Sequence, residues 1–339
     1  VSNTLVQIAT QNLSDMLHDI FGYSCEHKAV VIYDLNSPLS IILTKAYRNA
    51  LPNGIFINFH ETTSEEILAL IDSLNAYDFV ALVQSASFRL SAFRIRVELF
   101  KKGLKVAEHP HLGRMPTEHE VEFYIDSLAY DKEYFHRTGH TLQQKLFVAK
   151  TAVVHSENEK LIYTGGFEPP KINIGDYSKM NNIGGQFPIG EVFTESKKLA
   201  DLNGTTNVMA FGDTNYRVNI PPHSITIIIE NGKLIDTKNS TPEFEAILDL
   251  IKEEEGGVVL VRELGLGLNT AFSKNRVVSD MGTYERMCGI HLSLGSKHGI
   301  YAKEGHKRNS GKFHIDVMID TTSFEIDNEV IFENDKWNV

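Results

Sequence analysis

Six side chains able to bind a metal punctuate the second half of the chain: Glu191, Glu263, His291, His298, His314 and Asp316. Each sits in a short apolar or glycine-rich run. Glu191 lies in GGQFPIGEVFTE and Glu263 in VVLVRELGLGLN. His291 and His298 share GIHLSLGSKH, and His314 and Asp316 share KFHIDVMI. A carboxylate or imidazole buried beside Val, Leu and Ile is costly without a counter-charge or a metal. Carboxylate oxygens combined with imidazole nitrogens suit zinc, cobalt or manganese. His314-Ile315-Asp316 is the sharpest local signal. On a strand, residues two apart share a side, so His314 and Asp316 would face one centre while Ile315 and Val317 face the core.

Each residue also has a plainer reading. An isolated His-x-Asp is more often a surface pair. Glu263 could pair with its neighbour Arg262 or cap a helix. Glu191 could be a loop acid, with Glu195 a near duplicate. His291 and His298, seven apart, could each be a satisfied core histidine. His136 and His140 have helical ligand spacing. They lack an accompanying HExxH acid, and Gly139 between them weakens the helix. His109-Pro110-His111 reads as a loop. GHKRNSGKF fails as a phosphate-binding loop, because five residues separate its glycines and no Ser or Thr follows Lys312. GLGLN lacks the third glycine of a dinucleotide fingerprint, and no GxSxG is present.

The elements that must position these residues fall into two textures. Residues 28–110 alternate strand and helix. KAVVIYD, GIFINF, DFVALV and LKVAEH read as strands, and SIILTKAYRNAL, TSEEILALIDSL and SAFRIRVELFKKG as helices. This rhythm implies an α/β domain with a mostly parallel, covered sheet. Residues 116–150 read as helical, and TAVVHSE with KLIYTGG as a hairpin. GGFEPPKINIG then concentrates Gly and Pro, which places a boundary near residue 165. The expected domains are 1–165, α/β, and 166–339, mixed α+β and carrying all six residues. Within the second, Asn231-Gly232 between two apolar runs is a strong hairpin signal. TPEFEAILDLIKEEEGG reads as a helix with a Thr start and a Gly stop.

Composition bounds the function. The 339 residues suit two domains. A hydrophobic content of 42% and a net charge of −11 fit a soluble protein and argue against general nucleic-acid or membrane-surface binding. Cys25 and Cys288 are too few and too distant for a disulfide framework. Free thiols point to a reducing cytoplasm, and Cys288, near His291, reads first as a small buried residue. The first twenty residues lack a secretory pattern. Leu5, Ile8, Leu13, Leu17 and Ile20 instead recur at helical spacing. No run reaches the length of a membrane span.

The ordered set GGQFPIGEVFT, ELGLGLN, GIHLSLG and HIDVMI resembles the aminopeptidase T and aminopeptidase S family of bacterial metallo-aminopeptidases. The resemblance covers roughly residues 175–320; the N-terminal half matches in α/β character alone. It implies metal ligands at Glu191, Glu263, His291, His314 and Asp316. A further family ligand, a Tyr, is His298 here. It also implies two divalent ions (Zn, Co or Mn), with Glu263 or Asp316 bridging. Glu285 is the implied general base, although a salt bridge with Arg286 would serve as well for that residue. The expected substrate is a peptide with a free N-terminus, and the expected assembly is a homodimer. Two rivals share the scaffold: a peptide- or partner-binding protein without turnover, and a small-molecule metallohydrolase or natural-product tailoring enzyme.

Overall fold

The computed structural model describes residues 3–90 and 93–339. They divide into two compact units. The first comprises Val1–Phe135, Gly175–Ile189 and Lys274–Val278; the second, His136–Ile174, Gly190–Ser273 and Ser279–Val339.

In the first unit the apolar runs form a five-stranded parallel sheet. Its order is Ile183–Gln186, Lys105–His109, Phe79–Val83, Ala29–Tyr33, Ile55–Asn58. Every residue of Phe79–Val83 is buried, which is the mark of a strand covered on both faces. Helices start where their caps are written. Ser37 caps Pro38–Ala50, and Thr63 closes a capping box with Glu66 ahead of Ser64–Asp72. The expected helix from Ser91 begins outside the described residues, and its described part is Ile95–Lys101. The N-terminal helix Asn3–Asp19 buries Ala9, Leu13, Met16 and Leu17. Its apolar face is turned slightly from the expected one, leaving Ile8 40% exposed. Of His109-Pro110-His111, read as a loop, His109 belongs to the expected strand LKVAEH. It ends a strand, fully buried, with its ring nitrogens 2.8 Å from the Tyr47 hydroxyl and 3.0 Å from the Tyr124 hydroxyl.

The second unit is built on a large antiparallel sheet. Six of its strands close on themselves: Ile225–Glu230, Lys233–Lys238, Val259–Gly267, Gly289–Leu294, Ile315–Ile319 and Leu202–Gly212, which pairs back to Ile225–Glu230. Closure removes the free edges that an open sheet would expose. Asn231 and Gly232 both take positive φ at the hairpin between the first two, as such a turn requires. Pro242–Glu254 is the expected helix, capped by Thr241. The hairpin Thr151–Ser156 and Glu159–Thr164, which precedes residue 165 in sequence, hydrogen-bonds into this same sheet. Gly139 does not break the helix Lys132–Val148; a Cβ there would meet the Ile174 side chain at 2.7 Å, so the glycine serves close packing.

Candidate metal centre

Four neighbouring strands carry the centre. In order across the sheet they are Glu191–Glu195, Val259–Gly267, Gly289–Leu294 and Ile315–Ile319. Directly opposed residues share a face of a sheet, as do residues two apart on one strand. Glu191 opposes Gly267, His291 opposes Gly265, and Asp316 opposes Ser293. The segment Glu263-Leu264-Gly265-Leu266-Gly267 therefore presents one carboxylate and two glycines toward the ligands, while Leu264 and Leu266 are buried in the core.

The glycines make the space. A Cβ on Gly265 would lie 2.0 Å from both Cε1 and Nε2 of His291, so the imidazole occupies the place of the missing side chain. A Cβ on Gly267 would lie 1.9 Å from the Met287 carbonyl oxygen. That gap lets the Glu285–Met287 backbone cross beside Glu191. A bulge aims Glu263: Val261 opposes Leu294 and Leu264 opposes Leu292, so Arg262 and Glu263 together face Ser293. Bulges of this kind re-aim side chains beside active sites. The Glu263 amide donates to the Ser293 hydroxyl at 3.0 Å.

The donor atoms converge. His291 Nε2 is 3.3 Å from Glu191 Oε1 and 3.5 Å from Glu263 Oε1. His298 Nε2 is 3.0 Å from Glu263 Oε2, and His314 Nε2 is 3.1 Å from Asp316 Oδ1. Within this cluster three groups have donor atoms within 4.8 Å of one another: Glu191, Glu263 and His291; Glu263, His314 and Asp316; Glu285, His291 and Asp316. Glu263 belongs to the first two. Despite this crowding, both nitrogens of His291, Nε2 of His298 and Oδ1 of Asp316 are buried without a properly aligned hydrogen bond. Orphaned buried polar atoms of ligand type are what an ion would satisfy, so this donor set fits a divalent metal.

Electrostatics agrees. Burial would raise the Glu263 carboxyl, but the His291 and His298 rings outweigh it and hold the group well below the usual range. Burial would lower His291 and His314. The carboxylates around them win instead, pushing His291 well up and His314 to about 10. Such a cluster binds protons because it is rich in negative charge, and cations compete for the same place. Glu285 differs: burial pushes its carboxyl well up, partly offset by Arg286.

The same architecture occurs in enzymes of two chemistries. The structure of 2,5-dihydroxypyridine dioxygenase from Pseudomonas putida matches with a TM-score of 0.63 and 16% identity, covering 99% of this chain and 98% of that one. Wild-type AmpT from Thermus thermophilus matches with a TM-score of 0.62 and 12% identity, covering 98% of this chain and 99% of that one. At these identities the likeness establishes a shared fold. No family model and no curated protein matches the chain in sequence.

All six predicted donors and Glu285 lie in the second unit, and each is partly or fully buried. The plainer readings fail for most. Glu191 is a buried strand residue and no loop acid, and Arg262 pairs with Glu195 instead of Glu263. Cys288 joins none of the donor groups found among the described residues. Arg286 escaped the sequence reading in one respect. Besides meeting Glu285 at 2.5 Å, its guanidinium lies 2.8 Å from Glu191 Oε2. The E-x-G-x-G alternation was the available signal for the open face. No local signal marks Arg286, because its contact with Glu191 needs the crossing over Gly267.

Among the described residues, no helix is long and apolar enough to cross a membrane.

Proposed function

We propose that the protein is a metal-dependent aminopeptidase with a two-ion centre held by Glu191, Glu263, His291, His314 and Asp316. One observation carries this reading: Glu263, His291 and Asp316 each belong to two of the three donor groups, so the donors form one connected cluster with more ligand atoms than a single ion needs. Bound there, divalent ions would supply Lewis acidity and activate water. The chain's own contribution is to fix Glu191, Glu263, His291 and Asp316 on four hydrogen-bonded strands, with His314 one residue before the last, which limits their freedom to relax around a wrong ion. Gly265 and Gly267 keep the face in front of them open. Glu285, whose carboxyl burial raises and Arg286 partly offsets, stands within reach of Asp316 and His291, placed to exchange a proton with a substrate. A free N-terminal amine is the substrate feature that such a centre can select, since its lone pair is itself a ligand. The homodimer is part of the same proposal and rests on the resemblance alone.

A second reading has its own support. Arg286 already supplies positive charge to Glu191, which favours occupancy by a single ion at His291, His314 and Asp316. Two histidines and one carboxylate are the donor set of non-haem iron oxygenases, and one structural neighbour is a dioxygenase. Metal analysis of protein loaded with Zn, Mn or Fe(II), followed by assay on aminoacyl anilides with free and acetylated N-termini, decides between them. Two ions per chain and cleavage of free-amine substrates only are expected. One ion per chain and no cleavage of any anilide would leave the oxygenase or binding-protein reading standing.

A further inference from the structure

The family resemblance makes position 298 a metal ligand, but the hydrogen bonds around His298 argue otherwise. Its side chain is buried, 3% exposed. Nδ1 accepts from the Ile300 amide at 3.2 Å and faces the Tyr301 amide at 3.5 Å. Both partners are donors only, so Nδ1 must present a lone pair. A proton there would point at two N–H dipoles. The single imidazole proton is then left on Nε2, the atom that enters the cluster 3.0 Å from Glu263 Oε2. A nitrogen carrying a proton has no lone pair to give a metal.

His314 shows the opposite arrangement within the same cluster. Its Nδ1 lies 3.1 Å from the Lys297 carbonyl oxygen, so Nδ1 carries the proton and donates. Nε2 is therefore the nitrogen that faces the centre beside Asp316, and the one an ion would take in exchange for its proton. Histidine ligands typically anchor themselves through their second nitrogen in this way. Rotating the His298 ring by half a turn does not rescue a ligand role. It would set a C–H against the two amides and turn Nε2 away from the centre.

We infer that His298 is not a metal ligand but a hydrogen-bond donor, its proton locked on Nε2 by the Ile300 and Tyr301 amides and directed at Glu263 and the space the donors enclose. It is a positioning residue. Its N–H lies 3.0 Å from one oxygen of Glu263 without an aligned hydrogen bond, and so is left for whatever oxygen atom enters the centre. The inference deepens the metal reading in assigning what Nε2 faces, but the position of the proton stands on the backbone amides alone.

The test reads the proton directly. Long-range proton–nitrogen correlation spectra of the histidine rings, with the His298 signals assigned by their loss in His298→Gln, should show Nδ1 bare and Nε2 protonated. The pattern should persist when Zn2+ is added. A protonated Nδ1 in the metal-free protein, or an Nε2 that loses its proton on zinc addition, overturns the inference. Zinc titration supplies the second arm. His298→Gln, whose amide can still donate, should bind the wild-type number of ions with affinity within roughly 100-fold, as expected for a residue behind the ligands. His314→Gln should lose an ion. If His298→Gln loses an ion as His314→Gln does, His298 is a ligand. A wild-type protein that binds no zinc at all would refute the proposed function, while the metal-free spectrum would still decide this point.

Discussion

Arg262 and Glu263 are neighbours on one strand, both buried, and they meet opposite fates. Arg262 is saturated. It pairs with Glu195 through two nitrogens and donates to the Ser296 carbonyl at 2.8 Å and the Tyr301 carbonyl at 3.2 Å. Both side chains of that pair are 0% exposed. Glu263 instead faces the imidazoles of His291 and His298, whose nearest nitrogens make no aligned hydrogen bond. A buried charge that completes its own partners is architecture. One surrounded by unsatisfied ligand atoms could hold an ion. The contrast also separates Glu195 from Glu191, two acids four residues apart on one strand that sequence alone cannot rank.

The largest effect should come from breaking the saturated pair. Arg262→Met leaves Glu195 buried and unpaired, and urea unfolding should show a loss of about 3–5 kcal/mol. The double variant Arg262→Met/Glu195→Leu should recover most of it, since apolar replacement of a whole buried pair is often neutral. No recovery would mean that the pair does more than satisfy itself.

Gly265→Ala tests the other side. The added methyl must displace the His291 ring. Overpacking should cost about 1–3 kcal/mol, and zinc binding should fall with it. Unchanged zinc affinity would show that His291 lies outside the centre.

His109 extends the comparison to the first unit. It too is buried and saturated, by Tyr47 and Tyr124, and burial pushes its pKa down to about 3. Because the folded pKa is depressed, the unfolded chain takes up the proton first as the pH falls. The stability contribution is intact above about pH 6.5 and is lost progressively from there toward pH 3. By pH 5.5 the loss should reach roughly 1–1.5 kcal/mol. The pH dependence of His109→Gln should be flatter by that amount; equal slopes would reject the assignment.

A smaller stability effect belongs to the site itself. Without metal at pH 8, Glu263→Gln should cost some stability, because the imidazoles favour the carboxylate, but less than Arg262→Met, because the amide keeps the volume and Glu191 and Asp316 still offset the imidazoles. With zinc present it should lose at least one bound ion. A metal-free loss as large as that of Arg262→Met would erase the distinction between the two neighbours.

Local chemistry made much of this legible in advance. The apolar runs and capping residues foretold the parallel strands of the first unit and most of its helices. Asn231-Gly232 foretold its hairpin, and the His-x-Asp spacing its same-sided pair. The face of the first helix was read less well, because which side is buried depends on what packs there. His109 closes the expected strand LKVAEH, but its complete burial was not legible, because two tyrosines distant in sequence provide it.

What the sequence determined by itself was the chemical inventory: carboxylates and imidazoles inside apolar runs, and glycines alternating after Glu263. Side-chain alternation is a local property of the backbone, so it can be read along the chain. Which donors meet was decided only in three dimensions, by the order of four strands and the bulge at Arg262–Glu263. The tertiary structure also chose Glu195 over Glu263 as the partner of Arg262, and set two backbone amides against Nδ1 of His298. Strand register and hydrogen-bond direction arise from distant pairings, and no run of neighbouring residues encodes them.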